Sequence, residues 1–215
     1  MSRKLVAAGG ASIWALDRAT VTAAGALLTA TVLAWIGLAG YEPPMGLGGF
    51  LAAWTLMMVA MMLPSIAPLV LLYRGRRVVL AFGYVVVWGA VGLLPYAAME
   101  RRLEPMAAVV LALAGAYELS PLKHACLRRC QNSAAFLMER YRSGALRLGA
   151  EHAVWCMGCC VGLMAVLVLA AAMGLLWAAL IAAVVFVQKV LPLGDASARV
   201  TGVALLASAV LVAAT

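Results

Sequence analysis

The sequence predicts an all-α protein: a polytopic transmembrane helical bundle of six to seven spans, with an amphipathic helix on its cytoplasmic side. Three observations lead there. Of 215 residues, 67% are apolar and only 11% are charged, too little polar surface for a soluble domain of that length. Mean hydropathy is +1.06. Apolar runs near the ~20 residues that cross a bilayer recur along the whole chain. The loops between them are short, so residues 1–215 are expected to form a single integral membrane domain. Any site must then lie between helices or at the membrane surface.

The first span is expected at 19–40, an Ala-, Thr- and Leu-rich run with Trp35 near its far end. Glu42, Pro43 and Pro44 break the helix after it. The second span, 48–73, is followed at once by Arg74, Arg76 and Arg77. The third covers 78–99 and leads to a loop with Glu100, Arg101, Arg102, Glu104 and Pro105. The fourth, 106–119, is short and stops before Pro121. Residues 122–151 form the one sizeable polar stretch, in which Phe136, Leu137, Tyr141 and Leu148 interleave with arginines. That pattern suits a helix lying on the membrane surface and anchored on anionic headgroups. Spans at 152–173 and 175–191 follow, joined by a tight turn at Gly174, and a last segment at 200–214 is marginal in length.

Basic residues fix an expected orientation. With the N-terminus in the cytoplasm and the spans alternating, fourteen Lys and Arg residues fall inside, and only Arg101 and Arg102 outside. So strong a bias follows the positive-inside rule for a multi-pass membrane protein. It also accounts for the net charge of +8 without nucleic acid: the basic residues flank apolar segments instead of clustering on a soluble module. No small-residue cleavage site stands out before the first span. Internal repeats, a frequent mark of secondary transporters, are not evident.

This topology gathers the chemistry on one face. Cys126, Cys130, Cys156, Cys159 and Cys160 are all five cysteines of the chain, and all fall near the cytoplasmic ends of the fourth and fifth spans. Glu118, His124, His152, Gln188 and Lys189 fall there too. Cys126 and Cys130 are four residues apart; Cys156 precedes Cys159 and Cys160 by three and four. Both spacings put thiols on one helical face. Converging thiolates suit a soft ion such as Cu(I), or zinc, and a reducing cytoplasm disfavours stable disulfides. Cysteine as a small buried hydrophobe is the plainer alternative. A zinc-ribbon spacing is not met, because Cys126 and Cys130 stand one residue too far apart.

A second unusual run lies in the second span, where Met58, Met61 and Met62 share a face. Thioethers favour Cu(I), and Pro64 frees a backbone carbonyl. Packing alone also explains methionines there. Glu118, ionisable and near a span end, is costly in lipid; it ligates an ion, pairs with Lys123 or Lys189, or snorkels to the surface. No phosphate-binding glycine loop and no nucleophile elbow appears, and two histidines are too few for more than one bis-histidine haem.

Three ordered motifs carry a family resemblance: Trp54-x-x-Met57-x-x-Ala60-Met61-Met62-Leu63-Pro64-Ser65-x-x-Pro68, then Tyr117-Glu118-Leu119-Ser120-Pro121-Leu122-Lys123-x-x-Cys126-Leu127-x-x-Cys130, then Cys156-Met157-Gly158-Cys159-Cys160-x-x-Leu163-Met164. Together, over about 54–189, they resemble a bacterial family of predicted metal-binding integral membrane proteins, DUF2182. The resemblance implies metal binding without a defined reaction and, together with the charge bias, a place in a bacterial inner membrane. This chain departs from the family pattern at Val161, where a tryptophan is frequent, and at Gln188, where Glu-Lys is frequent.

The leading expectation is therefore a membrane protein handling a soft metal, copper before zinc, as chaperone, transport element or assembly factor. Cys126, Cys130, Cys156, Cys159 and Cys160 would be its ligands, Glu118 and His152 would complete the site, and Met58, Met61 and Met62 would form a weaker second station. No catalytic residue is assigned. The alternatives are an accessory subunit of a larger membrane complex, with lipids and a partner membrane protein as its contacts, and a thiol redox enzyme.

Overall fold

A computed structural model describes residues 18–40, 46–100, 107–169 and 174–214. The basic N-terminal segment with Arg3 and Lys4, the helix break at Glu42–Pro44, and the loop residues Arg101 and Arg102 lie outside them. Among the described residues every regular element is helical. In order these are α1 (Arg18–Ala39), α2 (Leu47–Leu72), α3 (Arg77–Val91), α4 (Leu93–Glu100), α5 (Ala107–Glu118), α6 (Pro121–Gln131), α7 (Ser133–Arg140), α8 (Ala145–Leu169), α9 (Leu175–Val190) and α10 (Gly194–Ala214).

Five runs are long and apolar enough to cross a membrane: α1, α2, α3 together with α4 (Arg77–Met99), α8 and α10; α5 and α9 are shorter apolar helices. The outer surface is apolar as well. Leu28, Ile36, Val78, Leu94, Val200 and Val210 all point outward and are well exposed. Apolar cover on that scale suits a hydrocarbon solvent, not water.

The centre of the bundle is α2 and α8. Helix α8 packs along α3, α5 and α6, and α2 packs against α1, α3 and α9. Helices α1 and α10 sit outside, α1 on α2 and α10 on α5 and α9. Contact between α3 and α8 is close enough to exclude side chains. A Cβ on Gly83 would lie 2.3 Å from the Leu146 carbonyl oxygen, and one on Gly149 would lie 2.0 Å from that of Leu80. Small residues at such a crossing let two backbones meet.

Helix α2 runs through Pro64 and Pro68 without ending. Between α3 and α4 the turn at Gly92 is tightened, its N–H bonding to Gly89. The Trp88 carbonyl accepts instead from the Trp54 indole N–H at 2.8 Å. An acceptor left open in an apolar interior is thereby satisfied from a neighbouring helix.

The polar stretch 122–151 is organised differently from the single surface helix expected. Ser120 caps α6, its side chain accepting from the Lys123 N–H, and Pro121 occupies the first turn. Helix α6 turns into the protein and buries Lys123, Cys126, Leu127 and Cys130. Asn132 caps the short α7. A 3-10 turn over Tyr141–Ser143 then reaches Gly144, whose φ of +84° is a left-handed conformation that favours glycine. Helix α8 starts straight after it, seven residues before the span boundary expected at His152. The arginines here pair locally: Arg129 with Glu139 at 2.8 Å, Arg147 with Glu151 at 2.8 Å, and Arg140 with Glu151 at 3.4 Å. Helix α10 likewise starts earlier than the marginal segment 200–214, and at 21 residues it is long enough to cross.

Candidate metal centre

Helix α8 supplies Cys156, Cys159 and Cys160, and α6 lies across it with Cys126 and Cys130. All five are free thiols and buried. Cys159 Sγ lies 3.5 Å from Cys130 Sγ and 3.8 Å from Cys160 Sγ. Cys159 also donates to the Cys156 carbonyl one turn back, at 3.1 Å. Cys126 sits on a neighbouring part of the same α6–α8 contact, where Gly158 makes room for it: a Cβ at 158 would come within 2.8 Å of Cys126 Sγ. Burial pushes the Cys126 thiol pKa up, and the nearby Lys123 charge pulls part of that rise back.

Two sulfurs bound to one ion at ~2.3 Å lie about 3.8 Å apart in tetrahedral geometry and further apart in linear geometry. The Cys159–Cys160 separation fits that spacing as it stands, and the Cys130–Cys159 separation falls a few tenths of an ångström short. Among the described residues no three His, Cys, Asp or Glu side chains already form a closed metal cage. The thiols are thus gathered but not clamped.

Cys156 carries the most polar surroundings of the five. The Lys189 ammonium donates to its Sγ at 2.7 Å, and the Tyr84 hydroxyl lies 2.8 Å from the same atom. Lys189 and Tyr84 are both buried. Met62 Sδ stands 3.9 Å from Lys189 Nζ, so one residue of the methionine run reaches the rim of the cluster. Met58 and Met61 are buried in the same core.

His152 stands one turn before Cys156 on α8. It is buried between the rings of Phe136 and Tyr84, at centroid distances of 5.2 and 6.2 Å. Its Nδ1 has no hydrogen-bond partner among the described residues. A buried, open imidazole nitrogen beside gathered thiols is a donor set suited to a soft or borderline ion.

Glu118 is engaged elsewhere. Its Oε1 lies 2.7 Å from Lys123 Nζ, with both side chains fully buried. Lys123 spends its other donors on Gln188 Oε1, at 2.9 Å, and on the Cys159 carbonyl. Gln188 Nε2 in turn donates to Glu118 Oε2 at 3.2 Å. A carboxamide at 188 both accepts and donates, so it closes the network where a second carboxylate would repel Glu118. Gln131 bonds the Gln188 carbonyl at 2.7 Å, and the Tyr117 hydroxyl bonds that of Gly158. These contacts tie α5, α6 and α9 to the cysteine turn of α8. His124 is drawn away from the thiols by Asp195 of α10, at 2.8 Å.

Sequence reading misses Tyr84 among these residues and foresees only one part of the role of Lys123, its pairing with Glu118. Tyr84 carried a readable signal, a tyrosine in mid-span that needs a polar partner. Lys123 was noted only as a partner for Glu118, because nothing in its spacing showed α6 turning inward. An apolar cavity of about 220 Å³ is walled by α2, α3, α4 and α8, with Met157 and Met164 in its lining, but none of the five thiols lines it.

No curated protein and no solved structure matches the chain significantly. A family model does: PpoB2, described as a copper chaperone, matches residues 51–212, which hold every thiol and every partner residue named above. Five membrane-length apolar helices, a buried thiol cluster and a match over most of the chain lead to one conclusion: this chain belongs to the PpoB2 copper chaperone family.

Proposed function

We propose that the protein is a membrane-embedded copper chaperone that carries Cu(I) as cargo within the thiol cluster of Cys130, Cys156, Cys159 and Cys160. Its basic loop ends would face the cytoplasm of a bacterial cell. The observation that carries this reading is the gathering of α6 and α8 thiols in the apolar core, with Cys159 Sγ 3.5 Å from Cys130 Sγ and 3.8 Å from Cys160 Sγ. Thiolates select Cu(I) over hard ions, and gathered but unclamped ligands suit an ion that must be passed on. Cys126, against Gly158, would receive or release the ion at the edge of the cluster. His152 would offer its open Nδ1, while Met62 would add a thioether next to Lys189. Met58 and Met61 would form the weaker second station in α2. Glu118 acts through Lys123 in holding the Cys159 backbone, not as a ligand. The motifs behind the DUF2182 resemblance are the ones that supply this site. As a chaperone the protein needs an acceptor, and a membrane partner with a tighter Cu(I) site would take the ion.

Elemental analysis of the protein purified anaerobically in detergent tests the reading. Copper bound in stoichiometric amount by the wild type, with little on a Cys156→Ser/Cys160→Ser variant, is the expected result. Equal, near-zero copper on both would overturn it, and a preference for zinc over copper would reassign the cargo.

A further inference from the structure

Lys189 presents an electrostatic question that copper binding by thiols does not answer. Its ammonium is buried, and among the described residues no carboxylate lies within ion-pair distance of it. Its ammonium hydrogen-bonds among the described residues to two sulfurs, Cys156 Sγ at 2.7 Å and Met62 Sδ at 3.9 Å. The other buried ion pair nearby, Glu118 with Lys123, is neutral in itself. A buried ammonium without a counter-charge is strongly disfavoured, and the Cys156 sulfur, 2.7 Å from Nζ, is the acidic group placed to supply that charge. The Tyr84 hydroxyl, 2.8 Å away, is placed to donate to the same sulfur.

We propose that Lys189 is the built-in counter-charge of the cargo site, and that it sets the site to hold one monovalent ion between two thiolates, Cys156 and one neighbouring cysteine. The inference rests on the copper-carrying reading of the cluster and deepens it. Before loading, the Cys156 thiolate and the Lys189 ammonium cancel. On loading, one Cu(I) forms a bond to the Cys156 thiolate and a second bond to a neighbouring thiol, whose S–H bond breaks and whose proton leaves to solvent. No electron moves. One monovalent cation, two thiolates and one ammonium again sum to zero. A third thiolate would leave a net negative charge in the apolar core, where it has no partner. Lys189 acts through Cys156 without holding the ion, so it is a positioning residue.

The full-length protein in detergent, kept anaerobic, allows the test with Cu(I) delivered from a chromophoric chelator. X-ray absorption at the copper edge of the wild type is expected to show two sulfur neighbours per ion; three or more would overturn the proposal. Lys189→Leu is expected to weaken Cu(I) binding by about 10- to 100-fold, the usual effect of removing a group that supports a ligand. Lys189→Arg, which keeps the charge, is expected to bind close to wild type. A folded Lys189→Leu protein that binds as tightly as wild type would overturn the counter-charge, as would a folded Lys189→Arg protein as weak as Lys189→Leu. If Lys189→Leu does not fold, the sulfur count on the wild type decides by itself. A Cys156→Ser/Cys159→Ser variant separates the two ideas. Copper binding unchanged in that variant removes the thiol site altogether, whereas thiol-dependent binding that ignores Lys189 removes only the counter-charge.

Discussion

Lys123 Nζ meets Glu118 Oε1 at 2.7 Å across the turn between α5 and α6, with neither side chain exposed to solvent. The pair does not touch a thiol side chain. It bonds the Cys159 carbonyl and so holds the cysteine turn of α8 in place.

Breaking this pair from one side is therefore expected to be costly. Glu118→Ala leaves the Lys123 ammonium buried with only amide oxygens, and the loss of stability should be about 3–5 kcal/mol. Glu118→Met combined with Lys123→Met removes both charges and should cost less than either single change. Unfolding in a mixed detergent series measures all three. A double variant less stable than both singles would contradict this account.

Glycine-to-alanine changes should have opposite signs at two positions. Gly149→Ala drives a Cβ into the Leu80 carbonyl, at 2.0 Å in the present packing. It should destabilise the protein by about 1–3 kcal/mol, as overpacking does, and should lower copper retention by parting Tyr84 from Cys156. At Gly25 of α1 an added Cβ would meet nothing within 4 Å. Gly25→Ala should leave stability equal or raise it by ~0.5–1 kcal/mol through helix propensity. Thermal scanning of the two variants side by side checks the contrast.

The methionine run can be separated into packing and binding. Met58→Leu and Met61→Leu are close to volume-conserving and should each cost under ~1.5 kcal/mol. If these thioethers form a second station, copper stoichiometry at saturating Cu(I) should fall in the double variant while the thiol-bound ion remains. Unchanged stoichiometry by elemental analysis would assign both residues to packing.

Cys126 gives a pH signature on the alkaline side. Burial favours its neutral thiol and pushes the pKa up, against a smaller opposing pull from Lys123. A group whose folded pKa is raised stabilises the fold below its unfolded pKa, and that contribution is lost as pH rises through the folded value. Iodoacetamide labelling of Cys126, mapped by mass spectrometry, should therefore set in above the ordinary thiol range. Lys123→Met should move it higher still. Labelling that sets in below the range of a free thiol would refute the assignment.

Much of the fold was legible because apolar runs of bilayer length report directly on helices α1, α2, α3 with α4, α8 and α10. The starts of α8 and α10 were harder to see, and for one reason. Arg147 and Glu151, like Asp195 and Arg199, lower the local hydropathy and hide helical turns that the structure includes. Spacing also indicated that Cys156, Cys159 and Cys160 share a face. It could not show that α6 turns inward, because that depends on Lys123 finding Glu118 and Gln188, one of them 65 residues away. Sequence groups Lys189 with the cysteines, but that no carboxylate among the described residues pairs with it is a property of the packed interior.

The depth of the thiol cluster has a kinetic consequence. Cys130, Cys156, Cys159 and Cys160 are each 5% exposed or less, so a water-soluble thiol or chelator would have no direct line to an ion carried there. Exchange would then wait for α6 and α8 to part. The release rate should then level off as competing chelator is added, reporting the frequency of helix opening instead of competitor strength. An acceptor protein that pries α6 away would speed release without needing a higher affinity. Rapid-mixing measurements over a range of chelator concentrations would show that plateau, and a rate that keeps rising in proportion to chelator would mean that the ion lies open to solvent.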